Sequence, residues 1–200
     1  MEAFLRLPRR ASYADYLAAE QNSDFRHEFL DGVIVAMAGG SDEHNAVAGR
    51  LARLLGNRET GHCRYYTPDQ RFWIASRRRG RYADGSIICG PPEHPAHDEQ
   101  ATTNPAVVIE VLSPSSEGDD DGDKRSDFQS LASVEAYVLV AQDQRQVKVY
   151  RRTGGEWRAT TYDDGQSFEL PTLSAPIPVR DIYDGILDSA GRSMLRRPPT

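Results

Sequence analysis

The sequence predicts an α/β fold, and three features carry that prediction. The stretch Ala106-Val107-Val108-Ile109-Glu110-Val111-Leu112 is short, β-branched and apolar, with Pro105 ahead of it, as in a strand buried on both faces. A helical pattern at about 122–132 and a second apolar run at 134–141 follow, with the spacing of a right-handed β-α-β crossover. Upstream, Glu28-Phe29-Leu30-Asp31-Gly32-Val33-Ile34-Val35 places Asp-Gly between two apolar runs, a strong short-range hairpin signal.

Taken in order, residues 1–10 read as a basic, loosely held arm. Ser12 caps a helix over 13–21 with Tyr13, Tyr16 and Leu17 on one stripe. Strands at 27–30 and 33–37 form the hairpin. Ser41 or Asp42 caps a helix at about 42–56, whose His44, Val47, Leu51 and Leu54 form an inward face. Strands follow at 63–66 and 70–75. Arg77-Arg78-Arg79-Gly80-Arg81 reads as a basic turn, and Tyr82 to Cys89 as one strand with Asp84 near its start. Residues 90–105 carry four prolines and read as loop. An acidic loop at 113–121 follows the central strand. Later strands are expected at 134–141, 146–151 and within 156–171, and Pro178 starts a short helix through 187.

The 200 residues fit one domain, 1–188, followed by a flexible tail, 189–200. With 38 % apolar and 27 % charged residues, a globular protein is expected. There is no run long enough for a membrane span and no leader-like N-terminus, so a cytoplasmic protein without membrane contact is expected. Two cysteines, Cys63 and Cys89, make no disulfide framework, which suits a reducing compartment. The net charge of −6 argues against a large non-specific nucleic-acid surface but permits a local basic groove.

Glu110 is the residue that does not belong in its strand. It shares a face with Val108 and Leu112, while Val107, Ile109 and Val111 share the other. A carboxylate there must find a cation, hydrogen bonds or a proton. An arginine partner or an edge position is one solution; a metal-binding or catalytic carboxylate is the other. Lys124, Phe128 and Leu131 fall at i, i+4 and i+7, so this lysine lies on the inward face of its helix, either snorkelling or aimed towards Glu110. Two carboxylates, Asp84 and Glu110, with one lysine suit a hard divalent cation and attack of water on a phosphodiester. In that set the lysine positions or deprotonates the water, or stabilises developing negative charge.

Tyr82-Ala83-Asp84, then Val108-Ile109-Glu110-Val111-Leu112-Ser113-Pro114-Ser115, then Gly122-Asp123-Lys124, then Glu135-Ala136-Tyr137-Val138-Leu139-Val140 resembles the Uma-type family of the PD-(D/E)-x-K nuclease superfamily. The resemblance runs from about residue 12 to 187. It implies a restriction-endonuclease-like fold, a central mixed β-sheet flanked by helices. It implies an Mg²⁺-dependent endodeoxyribonuclease, with Mn²⁺ able to substitute, no organic cofactor, DNA as substrate, and a homodimer as one way to cut both strands. Asp84, Glu110 and Val111 would be the metal-binding positions. The resemblance places Asp84, Glu110, Lys124, Glu28 and His44 in the catalytic set. The superfamily's lysine stands two residues after the glutamate, where this chain has Leu112; Lys124 on the following helix matches its migrated place. Ala83 replaces the usual proline, and with Gly85 is expected to loosen the strand around Asp84. Glu28 is either a third acidic ligand or a hairpin residue paired to an arginine. His44 either touches the scissile phosphate or water, or is a neutral core-edge histidine disfavoured as a cation by its helix N-terminus.

Weaker signals give little. Arg77 to Arg81 contact phosphates or form a solvated turn. Aligning Gly122 with the glycine of a calcium loop puts Phe128 where a bidentate glutamate belongs, which excludes that loop. Cys63, Cys89, His94 and His97 fit no zinc spacing. No phosphate-binding loop, dinucleotide fingerprint or nucleophile elbow is present. Two rivals keep the fold: a catalytically inactive binding or assembly module, and a nuclease acting on RNA or branched DNA.

Overall fold

A six-stranded sheet, built around the run that contains Glu110, carries the core. The computed structural model describes residues 10–113 and 116–195. The expected N-terminal arm lies outside that range except for Arg10, and Pro114-Ser115 lie outside it altogether. Ser12 accepts from the Asp15 N–H, and Asp15 accepts in return from the Ser12 N–H, so a capping box opens α1 (Tyr13–Gln21). β1 (His27–Leu30) and β2 (Val33–Ala36) pair antiparallel across Asp31 and Gly32, both at positive φ, as a two-residue hairpin turn requires. Ser41 caps α2 (Asp42–Gly56) by accepting from the His44 N–H. Next come β3 (Cys63–Tyr66), β4 (Arg71–Ile74), β5 (Arg79–Tyr82) and β6 (Gly85–Cys89). They are followed by β7 (Ala101–Thr102) and β8 (Pro105–Leu112). The short helices α3 (Glu117–Asp120) and α4 (Asp123–Gln129) lead to β9 (Ala136–Ala141), β10 (Gln146–Thr153) and β11 (Glu156–Asp163). The chain closes with β12 (Ser167–Phe168), β13 (Ile177–Pro178) and α5 (Val179–Tyr183).

The central sheet has the order β11-β10-β9-β8-β6-β3 and is mixed, because β8 and β9 run parallel while the other neighbours are antiparallel. A second sheet, β2-β1-β5-β4-β7, lies beside it. Strand β8 divides its side chains by pleat. Val107, Ile109 and Val111 join α2 and α5 in the main core with Val47, Leu51, Ile182 and Tyr183. Val108 joins Phe72, Phe128 and Tyr137 on the other face. Each large apolar side chain so buried contributes about 1.5–3 kcal/mol. Glu110 shares the face of Val108, and α4 covers that face through Phe128.

Several expectations need correction. The strand expected from Tyr82 to Cys89 is broken at Ala83-Asp84, and its halves belong to different sheets. At this break the Asp84 N–H points to the Glu110 side chain of β8, Oε2 at 3.4 Å, rather than to a main-chain carbonyl. The basic turn is confined to its first part. Arg79 and Arg81 lie in β5, and Arg81 is only 1 % exposed, because five carboxylates from distant segments pair with these two arginines. The loop at 90–105 contains the two-residue strand β7, parallel to β4, and the acidic loop contains α3. Cys63 and Cys89 face each other in register across β3 and β6 and form a disulfide, where no disulfide framework and a reducing compartment were expected. Gly85 does not loosen its strand. It pairs with Ile109, is buried, and leaves room for the Tyr65 hydroxyl, into which a Cβ would run. Of the tail expected at 189–200, residues up to 195 fold back, with the Met194 N–H on the Ile186 carbonyl at 2.8 Å; 196–200 lie outside the described residues.

Candidate active site

A cavity of about 400 Å³ opens between the β1–β2 hairpin, the start of α2 and helices α3 and α4. Asp84, Glu110, Lys124, His44 and Glu28 all line it, so five positions spread over nearly a hundred residues converge. Each arrives for a local reason. Glu110 is carried by the pleat of β8. Lys124 is carried by the inward stripe of α4, one turn before Phe128. Asp84 sits where the chain leaves one sheet for the other, and His44 occupies the first turn of α2.

Glu110 is 1 % exposed, and its Oε2 accepts from Lys124 Nζ at 2.9 Å. Its Oε1 is buried with no hydrogen-bond partner among the described residues. Burial, reinforced by Asp84 and Asp120 and opposed by Lys124, pushes the Glu110 carboxyl well above its ordinary range. Lys124 is 7 % exposed and lies 3.4 Å from Asp120 Oδ1. Burial works against its charge, but Glu110, Glu28, Asp120 and Asp84 outweigh it and hold the proton on. The two shifts differ in their main cause: burial lifts Glu110, whereas the surrounding carboxylates lift Lys124 against burial. Asp84 Oδ2 accepts from the Val111 N–H at 2.7 Å and meets His44 Nε2 at 3.1 Å. Burial acts to raise the Asp84 carboxyl, yet His44, Lys124 and the Val111 N–H hold it below its ordinary range. The same Asp84 bond lifts His44 above its ordinary value against burial.

Glu28 keeps to the arginine alternative while still lining the cavity. Its Oε2 accepts from Arg81 at 2.7 Å, and its Oε1 accepts from the Tyr82 N–H at 3.1 Å. Val111 contributes through its main chain, which fixes Asp84.

A sequence profile of the family Uma2, described as "Putative restriction endonuclease", matches residues 13–179. This chain belongs to the Uma2 family. The Uma2 chain is 30 % identical over 179 residues to "Uncharacterized protein slr1290" of Synechocystis sp., covering 88 % of this chain and 93 % of that one. It is 33 % identical over 159 residues to "Uncharacterized protein sll1609" of the same organism, covering 78 % and 89 %. Its fold is similar to a crystal structure titled a putative nuclease belonging to DUF820 from Anabaena variabilis, with a TM-score of 0.65 and 16 % identity over 81 % of this chain and 92 % of that one. The mixed, helix-flanked sheet of this Uma2 chain is thus the nuclease-like fold that the resemblance implied.

Four members of the Uma2 cavity escaped the sequence reading. Asp119 and Asp120 were hidden in an acidic run that reads as solvated loop, yet both line the cavity. Gly40 packs so closely that a Cβ would lie 2.5 Å from His44 Nδ1, so only glycine lets this ring reach Asp84. Gln142, just past β9, closes the rim and accepts from Ser41 Oγ at 3.1 Å. The spacing of Asp120 four residues before Lys124 was the one available signal.

The donor chemistry fits a hard divalent ion. Asp84 and Glu110 offer oxygen, and the unpartnered Glu110 Oε1 is a buried acceptor of the kind a cation would satisfy. Among the described residues no three His, Cys, Asp or Glu side chains are grouped so as to hold a metal ion. A small ion that keeps several waters needs only one or two carboxylates.

Proposed function

We propose that this Uma2 chain is a divalent-metal-dependent endonuclease that hydrolyses phosphodiester bonds of DNA. The observation that carries the reading is the buried Glu110–Lys124 pair beside Asp84, with one carboxylate oxygen left unsatisfied, on the wall of an open cavity. Asp84 and Glu110 would hold Mg²⁺ or Mn²⁺, which would lower the pKa of a bound water and offset charge on the phosphate.

The chain's own groups divide the remaining work. Water attacks phosphorus and releases one proton to solvent, one P–O ester bond breaks, and the leaving oxygen takes up a proton from solvent. Lys124 keeps its proton in this setting, so of the roles open to it the supply of positive charge to the crowded phosphate is the one its environment favours. His44 holds Asp84 anionic and oriented, and the Val111 N–H does the same from the strand. Glu28 braces β5 against β1 through Arg81 and the Tyr82 N–H.

The test is nicking of supercoiled plasmid at low salt with Mg²⁺, Mn²⁺ or EDTA, comparing wild type with Glu110→Gln. Metal-dependent nicking that disappears in the variant is expected. Nicking that survives the substitution contradicts the assignment, and activity on RNA or branched DNA alone would move the substrate and leave the site intact.

A further inference from the structure

Arg81 is an arginine fork held just behind the cavity wall, and one of its three carboxylates differs from the other two. Its Nε donates to Asp127 Oδ2 at 2.9 Å and its Nη1 to Glu28 Oε2 at 2.7 Å. Those partners are inward, with side-chain exposures of 0 % and 11 %. Asp119 takes the remaining edge of the fork, accepting from Nη1 at 2.9 Å and from Nη2 at 3.3 Å, and its side chain is 46 % exposed. Asp119 and Glu28 line the cavity that holds Asp84 and Glu110.

A two-point grip on the edge of a guanidinium suits two phosphate oxygens as well as two carboxylate oxygens. A phosphodiester and a carboxylate each carry one negative charge, so exchanging one for the other leaves the charge around Arg81 unchanged. Asp119 is 46 % exposed, so it is readily rehydrated on leaving, while Arg81, 1 % exposed, keeps its charge compensated only if the phosphate takes that place. Asp127 and Glu28 keep Arg81 in place during the exchange. The other cations of the cavity stand at the proposed reacting centre beside Asp84 and Glu110. Among the described residues lining it, Lys124 and His44 are the basic ones, and they are engaged by Glu110 and Asp84.

We propose that Arg81 binds a phosphate of the nucleic-acid strand that enters the cavity, and that Asp119 is a built-in stand-in for that phosphate, displaced when the strand arrives. The proposal rests on the phosphodiester reading of the site but is tested without cleavage. Binding of a short fluorescent single-stranded oligonucleotide would be followed by anisotropy in EDTA, using the full chain, Asp119→Asn, Arg81→Lys and the double variant. Asp119→Asn is expected to bind about three- to tenfold tighter than wild type, and the gain is expected to vanish in the Arg81→Lys background. Inorganic phosphate should compete better against Asp119→Asn than against wild type. Unchanged or weaker binding by Asp119→Asn overturns the proposal. An equal gain in the Arg81→Lys background overturns it too, since that outcome reflects bulk charge alone. Tighter binding of inorganic phosphate without tighter binding of the oligonucleotide overturns the strand as the ligand. Should Arg81→Lys fail to fold, the Arg81 Nε–H resonance in Asp119→Asn reports instead: it should shift on adding oligonucleotide, and a fixed resonance refutes the contact. A gain in binding by a protein that nicks nothing would leave the phosphate site standing and remove only the nuclease reading.

Discussion

Among the described residues, one cavity around Arg71 and one around Glu110 hold buried charge, and they are built on opposite plans. The larger, about 590 Å³, is lined by Glu20, Arg71, Tyr82 and Asp98 among others. Arg71 grips Asp98 at two points, 2.9 and 2.8 Å, Tyr13 donates to the same carboxylate at 2.7 Å, and Tyr82 donates to Glu20 at 2.6 Å. Each of these charges has a matched partner. The smaller cavity surrounds Asp84 and Glu110, where one buried carboxylate oxygen has no hydrogen-bond partner among the described residues. Size does not separate the two plans here; satisfaction does. A satisfied network spends its interactions on holding the fold, whereas an unsatisfied one keeps binding capacity in reserve.

Breaking the satisfied network should produce the largest effect, and on stability alone. Asp98→Ala leaves Arg71 buried without its two-point partner, an expected loss of about 3–5 kcal/mol in denaturant unfolding. Nicking per folded molecule should be unchanged, and a selective loss of nicking would erase the distinction between the cavities. Glu110→Gln should do the reverse: nicking falls by at least about 100-fold while the unfolding midpoint moves little. A collapse of stability without a loss of nicking would make Glu110 another structural charge. His44→Ala should cost about 10- to 100-fold in kcat through the loosened Asp84. Gly40→Ala should move activity the same way, because its Cβ displaces the His44 ring.

The smallest effect concerns pH. Burial acts to raise the Asp98 carboxyl, but the hydrogen bonds from Arg71 and Tyr13 outweigh it and hold it below its ordinary range. A depressed carboxylate lends its stability fully above about pH 4 and loses it as pH falls through the folded-state value. Unfolding followed from pH 5 downwards should show this acid-side slope in wild type and a shallower one in Asp98→Asn. Equal slopes would mean that the network does not bind Asp98 preferentially as the anion.

Much of this was legible in the sequence where the signal is local. The β-branched run around Glu110, the Asp31-Gly32 hairpin and the inward stripe of Lys124, Phe128 and Leu131 each follow from short-range periodicity or turn chemistry. What was not legible depends on partners far along the chain. Arg81 reads as part of a basic turn, because Glu28, Asp119 and Asp127, which bury it, are 38 to 53 residues away. The break at Asp84 is invisible in a run that continues with Ile87 and Ile88, since it is set by which sheet each half joins. Cys63 meets Cys89 only through the register of β3 on β6. The site's residue types were therefore readable, and its electrostatic surroundings were not.

The account depends on Asp84 and Glu110 forming one binding centre for a divalent ion. Titration of Mn²⁺ into the folded chain, read by its electron paramagnetic resonance signal, tests this without reference to turnover. Saturable Mn²⁺ binding that is lost in both Glu110→Gln and Asp84→Asn is the predicted result. Binding that persists unchanged in both variants, or no binding by the folded wild type, would contradict it.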